Sequence, residues 1–471
     1  MKLLVRDAIL DGEPSTLGIE DGRIAFVDRG GRAGGSPADH GASGPGTGTG
    51  PGGRSSGGDG EADGTTAGPA GPEGSPARPF RADRVVDAAG LHAFPSLRNA
   101  HTHAAMTLFR GWGDDLPLME WLREHVWPAE EAMTAEDVYH GTRLAALEMI
   151  RSGTTWFNEM YWHADRAARA VEEMGLRVRL GAIFIDHGDA ETAERWRREV
   201  RRRVEEREAL GPRVELALAP HAVYTVSRAN LEWLGELARE HDLPVHIHLS
   251  ETRGEVEDCV EEHGVRPARL LEEVGLVGPR LVAAHGVHLD ADERALLGEA
   301  GATVVTNPTA NLKLAVGGIF DHDAARRAGI RVALGTDGAG SNNNLDMLEE
   351  MKVAALVQKH RAGDPRSLPA AEALALATTA PAEALGPGSG RLEPGEPGDL
   401  MLVDLSGPAT TPGHDPVSDL VYAASGCSVH TTVCDGRVLM HDREVEVADE
   451  EEILREAREA ARALVERAEG G

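Results

Sequence analysis

The stretch LHAFPSLRNAHTH, residues 91–103, is the starting point for interpreting the rest of the chain. It predicts a β-strand that ends in Asn99-Ala-His-Thr-His103. Histidines at positions i and i+2 of a strand point to the same face, which is the geometry for two imidazoles on one metal ion. Taken alone the pair is a weak signal, because most such pairs are surface or packing histidines. The sequence beyond it therefore decides between the two interpretations.

Strand and helix patterns alternate from about residue 95 to residue 385. Seven further apolar segments predict strands: 154–159, 178–185, 214–219, 244–249, 281–284, 302–306 and 331–335. Amphipathic helical patterns separate most of them, as in AEDVYHGTRLAALEMIRSG, where Thr134 is the expected N-cap and Gly153 the residue after the C-cap. Eight strands alternating with helices predict an α/β fold, a (β/α)₈ TIM barrel. A doubly wound sheet would also alternate, but no Gly-rich phosphate loop follows the first strand.

Polar residues suited to metal chemistry lie at the ends of several later strands. Strand 5 ends in His246-Ile-His248-Leu-Ser-Glu251, strand 6 in His285, and strand 8 is followed by Asp337. The carboxyl ends of barrel strands meet at one rim, where barrel enzymes build their active sites. Four strand ends that supply histidines and an aspartate to one rim favour a functional site over chance.

The two ends of the chain predict a second, smaller domain. Short strand patterns occur in 1–27 and 80–94, and again in 391–447, which indicates a β-sandwich built from both termini around a barrel at 95–390. Residues 28–79 contain no Val, Ile, Leu, Met, Phe, Trp, Tyr or Cys, and a segment so poor in apolar residues is expected to be a disordered insertion. The acidic, alanine-rich tail 448–471 predicts a surface helix.

Charge and composition exclude several classes of protein. The formal net charge of −30 argues against a nucleic-acid partner or an anionic membrane surface, both of which require basic patches. Three scattered cysteines are too few for a disulfide framework, so a reducing, cytoplasmic location is expected. The sequence contains no run of 18 apolar residues, so it predicts no membrane-spanning helix. The N-terminus does not resemble a signal peptide.

Five motifs make a family resemblance plain: NAHTHAAMTLFRG (99–111), HLSET (248–252), AAHGVHL (283–289), NPTANLKL (307–314) and LGTDGAGSNN (334–343). They resemble the amidohydrolase superfamily, and within it the 5′-methylthioadenosine/S-adenosylhomocysteine deaminases, which are related to guanine deaminases and triazine hydrolases. The resemblance covers nearly the whole chain apart from the insertion. It implies a small-molecule nucleoside substrate and hydrolytic deamination of its adenine ring, and it leaves open whether the chain forms a homo-oligomer.

The resemblance also implies the roles of individual residues. Metal ligands would be His101, His103, His248 and Asp337. Catalytic groups would be Glu251 as the acid toward a ring nitrogen, Asp337 as the proton acceptor, and His285 as a polarising group. Substrate contacts would come from Glu130, which in these deaminases contacts the ribose hydroxyls, from His221, and from Glu251 and Asp337.

One divalent ion is expected rather than two. Binuclear amidohydrolases bridge their metals with a carboxylated lysine at the end of strand 4, whereas this chain has no lysine between Lys2 and Lys313 and its strand 4 ends in Pro220-His221. Zn²⁺ is the commonest ion for such a donor set, although Fe²⁺ or Mn²⁺ would tolerate it.

Other interpretations remain open at this level. The chain could act on another purine, a pyrimidine or an s-triazine with the same metal and barrel, or it could be a non-catalytic barrel retained for binding. Asp337 could cap a turn, Glu251 could be an ordinary loop acid, and His246 is expected to be a packed strand residue. After strand 3 the sequence RLGAIFIDHGD offers no arginine that we can assign to a substrate carboxylate.

Overall fold

The computed structural model describes residues 1–30, 65–66 and 80–470 of the chain. The predicted insertion, 28–79, lies largely outside these described residues. The strands that precede the barrel are β1 (Lys2–Leu10), β2 (Glu13–Glu20), β3 (Arg23–Arg29), β4 (Thr65–Thr66), β5 (Phe80–Arg81), β6 (Arg84–Asp87) and β7 (His92–Pro95).

Eight parallel strands then form the barrel in the order of the chain: β8 (Leu97–Thr102), β9 (Thr154–Glu159), β10 (Arg177–Phe184), β11 (Val214–Pro220), β12 (Val245–Leu249), β13 (Leu281–His285), β14 (Thr303–Thr306) and β15 (Arg331–Leu334). This arrangement confirms the predicted (β/α)₈ barrel. Almost every residue in these strands is buried, as expected for a parallel sheet that is covered by helices.

The last barrel strand returns to the first. The backbone N–H of Asp337 donates to the carbonyl of His101 at 3.0 Å, and the N–H of Thr336 donates to Oδ1 of Asn99 at 3.0 Å. Gly335 permits this approach, because a Cβ at that position would lie 2.8 Å from both the backbone N and O of His101. The close contact brings Asp337 beside the histidines of β8.

Strands β16 (Leu400–Val403), β17 (Val429–Cys434), β18 (Arg437–His441) and β19 (Glu444–Val445) come from the C-terminal part. They join the N-terminal strands in a separate sheet of order β19-β18-β17-β16-β7-β1-β2-β3, with β6 also paired to β1. β16 runs antiparallel to β7 and so links the two ends of the chain. This sheet has its own apolar core, which includes Leu3, Ile19 and Leu402.

The α-helices are α1 (Leu118–Trp121), α2 (Trp127–Ala132), α3 (Ala135–Arg151), α4 (Ala164–Met174), α5 (Ala190–Glu205), α6 (Arg228–His241), α7 (Arg253–His263), α8 (Pro267–Glu273), α9 (Ala291–Glu299), α10 (Pro308–Lys313), α11 (His322–Arg327), α12 (Met347–Ala362), α13 (Ala370–Leu376), α14 (Thr379–Leu385), α15 (Pro416–Tyr422) and α16 (Glu450–Gly470). Short 3₁₀ segments lie at Ala104–Phe109, Arg207–Leu210 and Gly426–Ser428, and a π-helical turn at Leu122–Val126.

The caps of α3 and the buried face of α16 agree with the sequence patterns. Thr134 caps α3 in a capping box with Asp137, and Gly153 follows the helix with a φ of +82°. The tail helix α16 buries Ile453 and Leu464 on one face, as its amphipathic pattern predicts. None of the described helices combines the length and the apolar character needed to cross a membrane.

Candidate active site

Strand ends bring the predicted polar residues to one rim of the barrel. His101 lies in β8 and His103 directly after it, His248 lies in β12, His285 ends β13, and Asp337 follows β15. The backbones of His285 and Asp337 have φ values of +74° and +60°. This left-handed backbone conformation is higher in free energy for non-glycine residues. Such strain is typical of functional sites, where the chain turns sharply to orient a side chain.

The donor atoms of these residues converge on one point. Nε2 of His101 and Nε2 of His103 each lie 3.2 Å from Oδ1 of Asp337, and Nε2 of His248 lies 3.3 Å from Nε2 of His103. Nitrogen and oxygen ligands at ~2.0–2.1 Å from a tetrahedral ion lie about 3.3 Å from each other. The spacing of the side chains therefore fits a divalent metal ion.

His285 is closer to the centre than its predicted role requires. One donor atom each from His101, His248, His285 and Asp337 lie within 4.8 Å of one another, and all four residues are buried. Nδ1 of His285 lies 2.8 Å from Oδ1 of Asn311 and donates to it, which leaves Nε2 free. His285 can therefore either complete the donor set or contact a group bound beside the ion.

Hydrogen bonds on the far side of two rings orient them for a metal. Nδ1 of His103 donates to the carbonyl of Met160 at 2.7 Å, and Nδ1 of His248 donates to the carbonyl of His221 at 2.8 Å. Each bond keeps a proton on Nδ1, so that in the neutral ring the lone pair lies on Nε2 and faces the centre. Ligating histidines in metal sites are oriented by such bonds.

At neutral pH, all but one of the proposed ligands are in the protonation state that a metal ion requires. Burial lowers the pKa of His101 to about 4 and holds that of His248 well below its usual range, so both rings offer lone pairs at neutral pH. Burial alone would raise the pKa of Asp337, but hydrogen bonds with His101 and His103 outweigh it and keep Asp337 ionised. Burial lowers the pKa of His103, but the hydrogen bond and charge of Asp337, with the bond to Met160 and the charge of Glu159, together raise it to about 9, so an ion must displace a proton there.

Glu251 lies beside this centre, with Oε1 3.8 Å from Nδ1 of His285. Burial raises the pKa of its carboxyl, which favours the protonated form that an acid needs. The loop that carries it is fixed by Glu255, which accepts the backbone N–H groups of Ser250 and Glu251, both at 2.7 Å. No motif in the sequence signals this role of Glu255.

A cleft opens from the centre, and its apolar walls with a few polar groups are typical of a small-molecule site. The predicted substrate contacts both line it: Glu130 from α2, and His221 from the end of β11. Burial raises the pKa of Glu130 to about 7 and lowers that of His221 to about 3. The apolar walls of the cleft include Met106, Trp121, Leu122, Val126, Trp127, Ile183, Ile185 and Leu314.

Two further residues emerge only from the structure. Tyr161 lines the cleft, and its buried hydroxyl faces Glu130 without completing a hydrogen bond to any described residue. His246, expected to be a packing residue, is buried and has Nε2 2.9 Å from Nδ1 of His101. No motif signals Tyr161. For His246 the i, i+2 spacing to His248 was the available signal, since it places both rings on the inner face.

The fold, the donor set and the cleft together define a metal-dependent hydrolase. Residues 93–439 match the model of the amidohydrolase family, and the chain belongs to that family. As a member it is a hydrolase acting on carbon–nitrogen bonds, as the motifs predicted.

Three known proteins show what the chain is similar to. It is 54% identical to 5′-deoxyadenosine deaminase of Methanoregula boonei over 82% of this chain and 88% of the relative. It is 46% identical to 5-methylthioadenosine/S-adenosylhomocysteine deaminase of Desulforudis audaxviator over 84% and 92% of the two chains. A solved adenosine deaminase from Xanthomonas campestris with bound zinc superposes with a TM-score of 0.83 at 34% identity, covering 98% of each chain.

Proposed function

We propose that this chain hydrolytically deaminates the adenine ring of a 5′-modified adenosine and releases ammonia. The candidate substrates are 5′-methylthioadenosine and S-adenosylhomocysteine, together with adenosine, and the relatives add 5′-deoxyadenosine. The single observation that carries the proposal is the position of Glu251, a buried carboxyl with a raised pKa, 3.8 Å from His285 at the edge of the donor set. Hydrolysis at the amino-bearing carbon of a purine needs an acid for the adjacent ring nitrogen at such a place.

The proposed cofactor is one Zn²⁺ ion, with His101, His103, His248 and Asp337 as its ligands. Imidazole and carboxylate donors in this number suit zinc, and Fe²⁺ or Mn²⁺ would tolerate them. When bound, such an ion lowers the pKa of a water molecule and thereby supplies a nucleophile at neutral pH.

The protein residues then manage the protons. Glu251 gives its proton to the ring nitrogen as the water oxygen bonds to the neighbouring carbon. Asp337 accepts a proton from the attacking water, and the free Nε2 of His285 accepts a hydrogen bond from this water and orients its oxygen. The carbon–nitrogen bond to the amino group breaks, and the proton held by Asp337 leaves with the amine as ammonia. The remaining hydroxyl proton passes to Glu251 as the carbonyl forms, which restores the acid.

Two residues of the cleft are proposed to orient the nucleoside. Glu130 is proposed to accept the ribose hydroxyls, and His221 to contact the ring. Trp127, Glu130 and Trp162 also line a neighbouring pocket, which contains Arg195, Arg198, Arg202 and Arg203. A 5′ substituent that extends from the cleft into this pocket can pack against the tryptophans or pair a carboxylate with an arginine.

A substrate panel tests this function directly. Zinc-loaded enzyme is incubated with adenosine, 5′-deoxyadenosine, 5′-methylthioadenosine, S-adenosylhomocysteine, guanine and an s-triazine, and ammonia release gives kcat/KM for each. We expect the 5′-modified adenosines to be the best substrates. Higher kcat/KM on guanine or the triazine would replace the proposal with the corresponding family activity, and turnover of none would favour a binding role.

A cytoplasmic location stays a prediction.

A further inference from the structure

A row of three buried side chains runs away from the donor set into the barrel interior. Nε2 of His246 lies 2.9 Å from Nδ1 of His101, and Nδ1 of His246 lies 3.2 Å from Nδ2 of Asn158. His101 and His246 are fully buried, and so is Asn158. The row ends on the opposite side at Asp337, whose Oδ1 is 3.2 Å from Nε2 of His101.

His101 differs from the other histidines of the centre in the partner that orients it. His103 and His248 donate their Nδ1 protons to backbone carbonyls, which are acceptors only and permit one tautomer. The partner of His101 is another imidazole, which can donate or accept at Nε2. The tautomer of His101 therefore depends on His246.

The heavy atoms permit two proton orders along the row. In the first, Asn158 donates to His246, His246 donates through Nε2 to His101, and His101 donates through Nε2 to Asp337. This order satisfies each contact but places a proton on the nitrogen that faces the centre. In the second, His101 carries its proton on Nδ1 and donates it to Nε2 of His246, which leaves a lone pair on its own Nε2.

We propose that His246 is a positioning residue whose Nε2 accepts the Nδ1 proton of His101 and so holds His101 in the tautomer that binds a metal ion. The inference rests on the proposed role of His101 as a ligand, and it is independent of which nucleoside is deaminated.

The hydrogen-bonding neighbours of His246 agree with an accepting role. None of the described carboxylates bonds to its ring, and its partners are His101 and Asn158. With its proton on Nδ1 toward Asn158, the neutral ring presents the lone pair of Nε2 to His101.

Asn158 is compatible with the second proton order because its side-chain amide carries both a hydrogen-bond donor and an acceptor. Its Nδ2 donates to the carbonyl of Ala100 at 3.1 Å, while its Oδ1 is buried and makes no hydrogen bond to a described residue. Rotation of the amide places Oδ1 toward Nδ1 of His246, at the cost of the bond to Ala100. The acceptor role of His246 is therefore compatible with its only other polar neighbour among the described residues.

The experiment compares His246→Leu with His246→Gln, because a glutamine amide oxygen can still accept while leucine cannot. Zn²⁺ affinity is measured by competition with a chromophoric chelator in the absence of substrate, and Co²⁺ loading is followed by its visible absorption. We expect His246→Leu to bind Zn²⁺ about 10- to 100-fold more weakly with an altered Co²⁺ spectrum. His246→Gln should stay within a few-fold of wild type.

The control is His322→Leu, which removes another buried histidine, one that pairs with Glu372 and does not line the cleft. Thermal unfolding of the metal-free variants identifies any general loss of packing. Wild-type affinity in His246→Leu would overturn the proposal, and so would equal weakening in the Leu and Gln variants, which would show a packing role. Failure of wild type to bind metal would refute the ligand assignment, whereas metal binding without deamination would refute only the proposed function.

Discussion

The ammonium group of Lys313 lies 2.7 Å from Oδ1 of Asp114, and Nδ2 of Asn343 donates to the other oxygen of the same carboxylate at 2.9 Å. Asp114 belongs to the loop that leads into the helical segment 118–132, whose tryptophans cover the cleft. Lys313 ends α10 and Asn343 lies in the loop after β15. The contact therefore ties the cover of the cleft to the barrel rim.

Lys313→Met should loosen this cover. The ion pair is only partly exposed, and the hydrogen bond from Lys313 lowers the pKa of Asp114, so the pair persists at neutral pH. We expect KM for the best nucleoside to rise about 3- to 10-fold with a smaller change in kcat, because a partly exposed pair contributes about as much as an ordinary hydrogen bond. Lys2→Met is the matched control, because Lys2 pairs with Glu20 at 2.7 Å in the terminal sheet. An unchanged KM in Lys313→Met would show that the cover does not depend on this pair.

Glu251→Gln should separate metal binding from chemistry. The variant keeps the size of the side chain but cannot deliver a proton to the ring, so ammonia release should fall by about 10²- to 10⁴-fold while the zinc content stays at the wild-type level. Glu262→Gln, at an exposed position on α7, controls for the change of charge. Full activity in Glu251→Gln would rule out this residue as the acid.

Metal removal should be reversible. Dialysis of the enzyme against a strong chelator should abolish ammonia release, and stoichiometric Zn²⁺ should restore it. Asp337→Asn should resist this restoration, because it removes the anionic ligand and the proton acceptor together. Activity that survives complete removal of metal, verified by elemental analysis, would contradict the proposed centre.

Tyr161→Phe should weaken substrate binding. The hydroxyl is buried beside Glu130 and lacks a full hydrogen bond to any described residue, so a ribose hydroxyl is its expected partner. Losing one such bond should raise KM about 3- to 10-fold, with little effect on metal content. Tyr139→Phe serves as the comparison, since Tyr139 bonds Glu173 away from the cleft. If both variants keep the wild-type KM, Tyr161 does not contact substrate.

Glu350→Gln should change how stability depends on pH. Glu350 is buried in α12, where it accepts hydrogen bonds from the backbone of Thr309 and from Asn342, and burial raises its pKa to about 7. Between the unfolded value near 4.5 and this folded value the native chain holds a proton that the unfolded chain has lost, so this contribution to stability falls as pH rises.

Glutamine does not titrate, so the Tm of Glu350→Gln relative to wild type should increase from pH 5 to pH 8. The exposed neighbour Glu349 provides the control substitution Glu349→Gln. A constant difference in Tm across this range would show that Glu350 is ionised throughout.

The strands of the barrel could be predicted because their apolar runs are bounded by turn residues and separated by amphipathic helices. The segment 154–159 is found as β9 with the same bounds, and the six later segments differ from their strands by one residue at one end or, for 178–185, at both ends. Residues of the donor set were also recognisable, since each follows a strand and belongs to a family motif.

The roles of Tyr161, Glu255 and Lys313 could not be predicted in the same way. Each acts through a partner that is distant or unmarked in sequence, as Lys313 does through Asp114, 199 residues away. A tyrosine or glutamate after a strand has no signature of its own, and only the packed structure shows which atoms face it.

The sequence by itself determined the barrel, the family and the identities of the polar residues at its rim, because periodicity and motif spacing are properties of neighbouring residues along the chain. The tertiary structure alone decided which donor atoms converge and how each ring is oriented. It gave His246 a polar partner in place of a packing role, since the closing of β15 against β8 and the row from Asn158 to Asp337 depend on contacts between strands that are far apart in sequence.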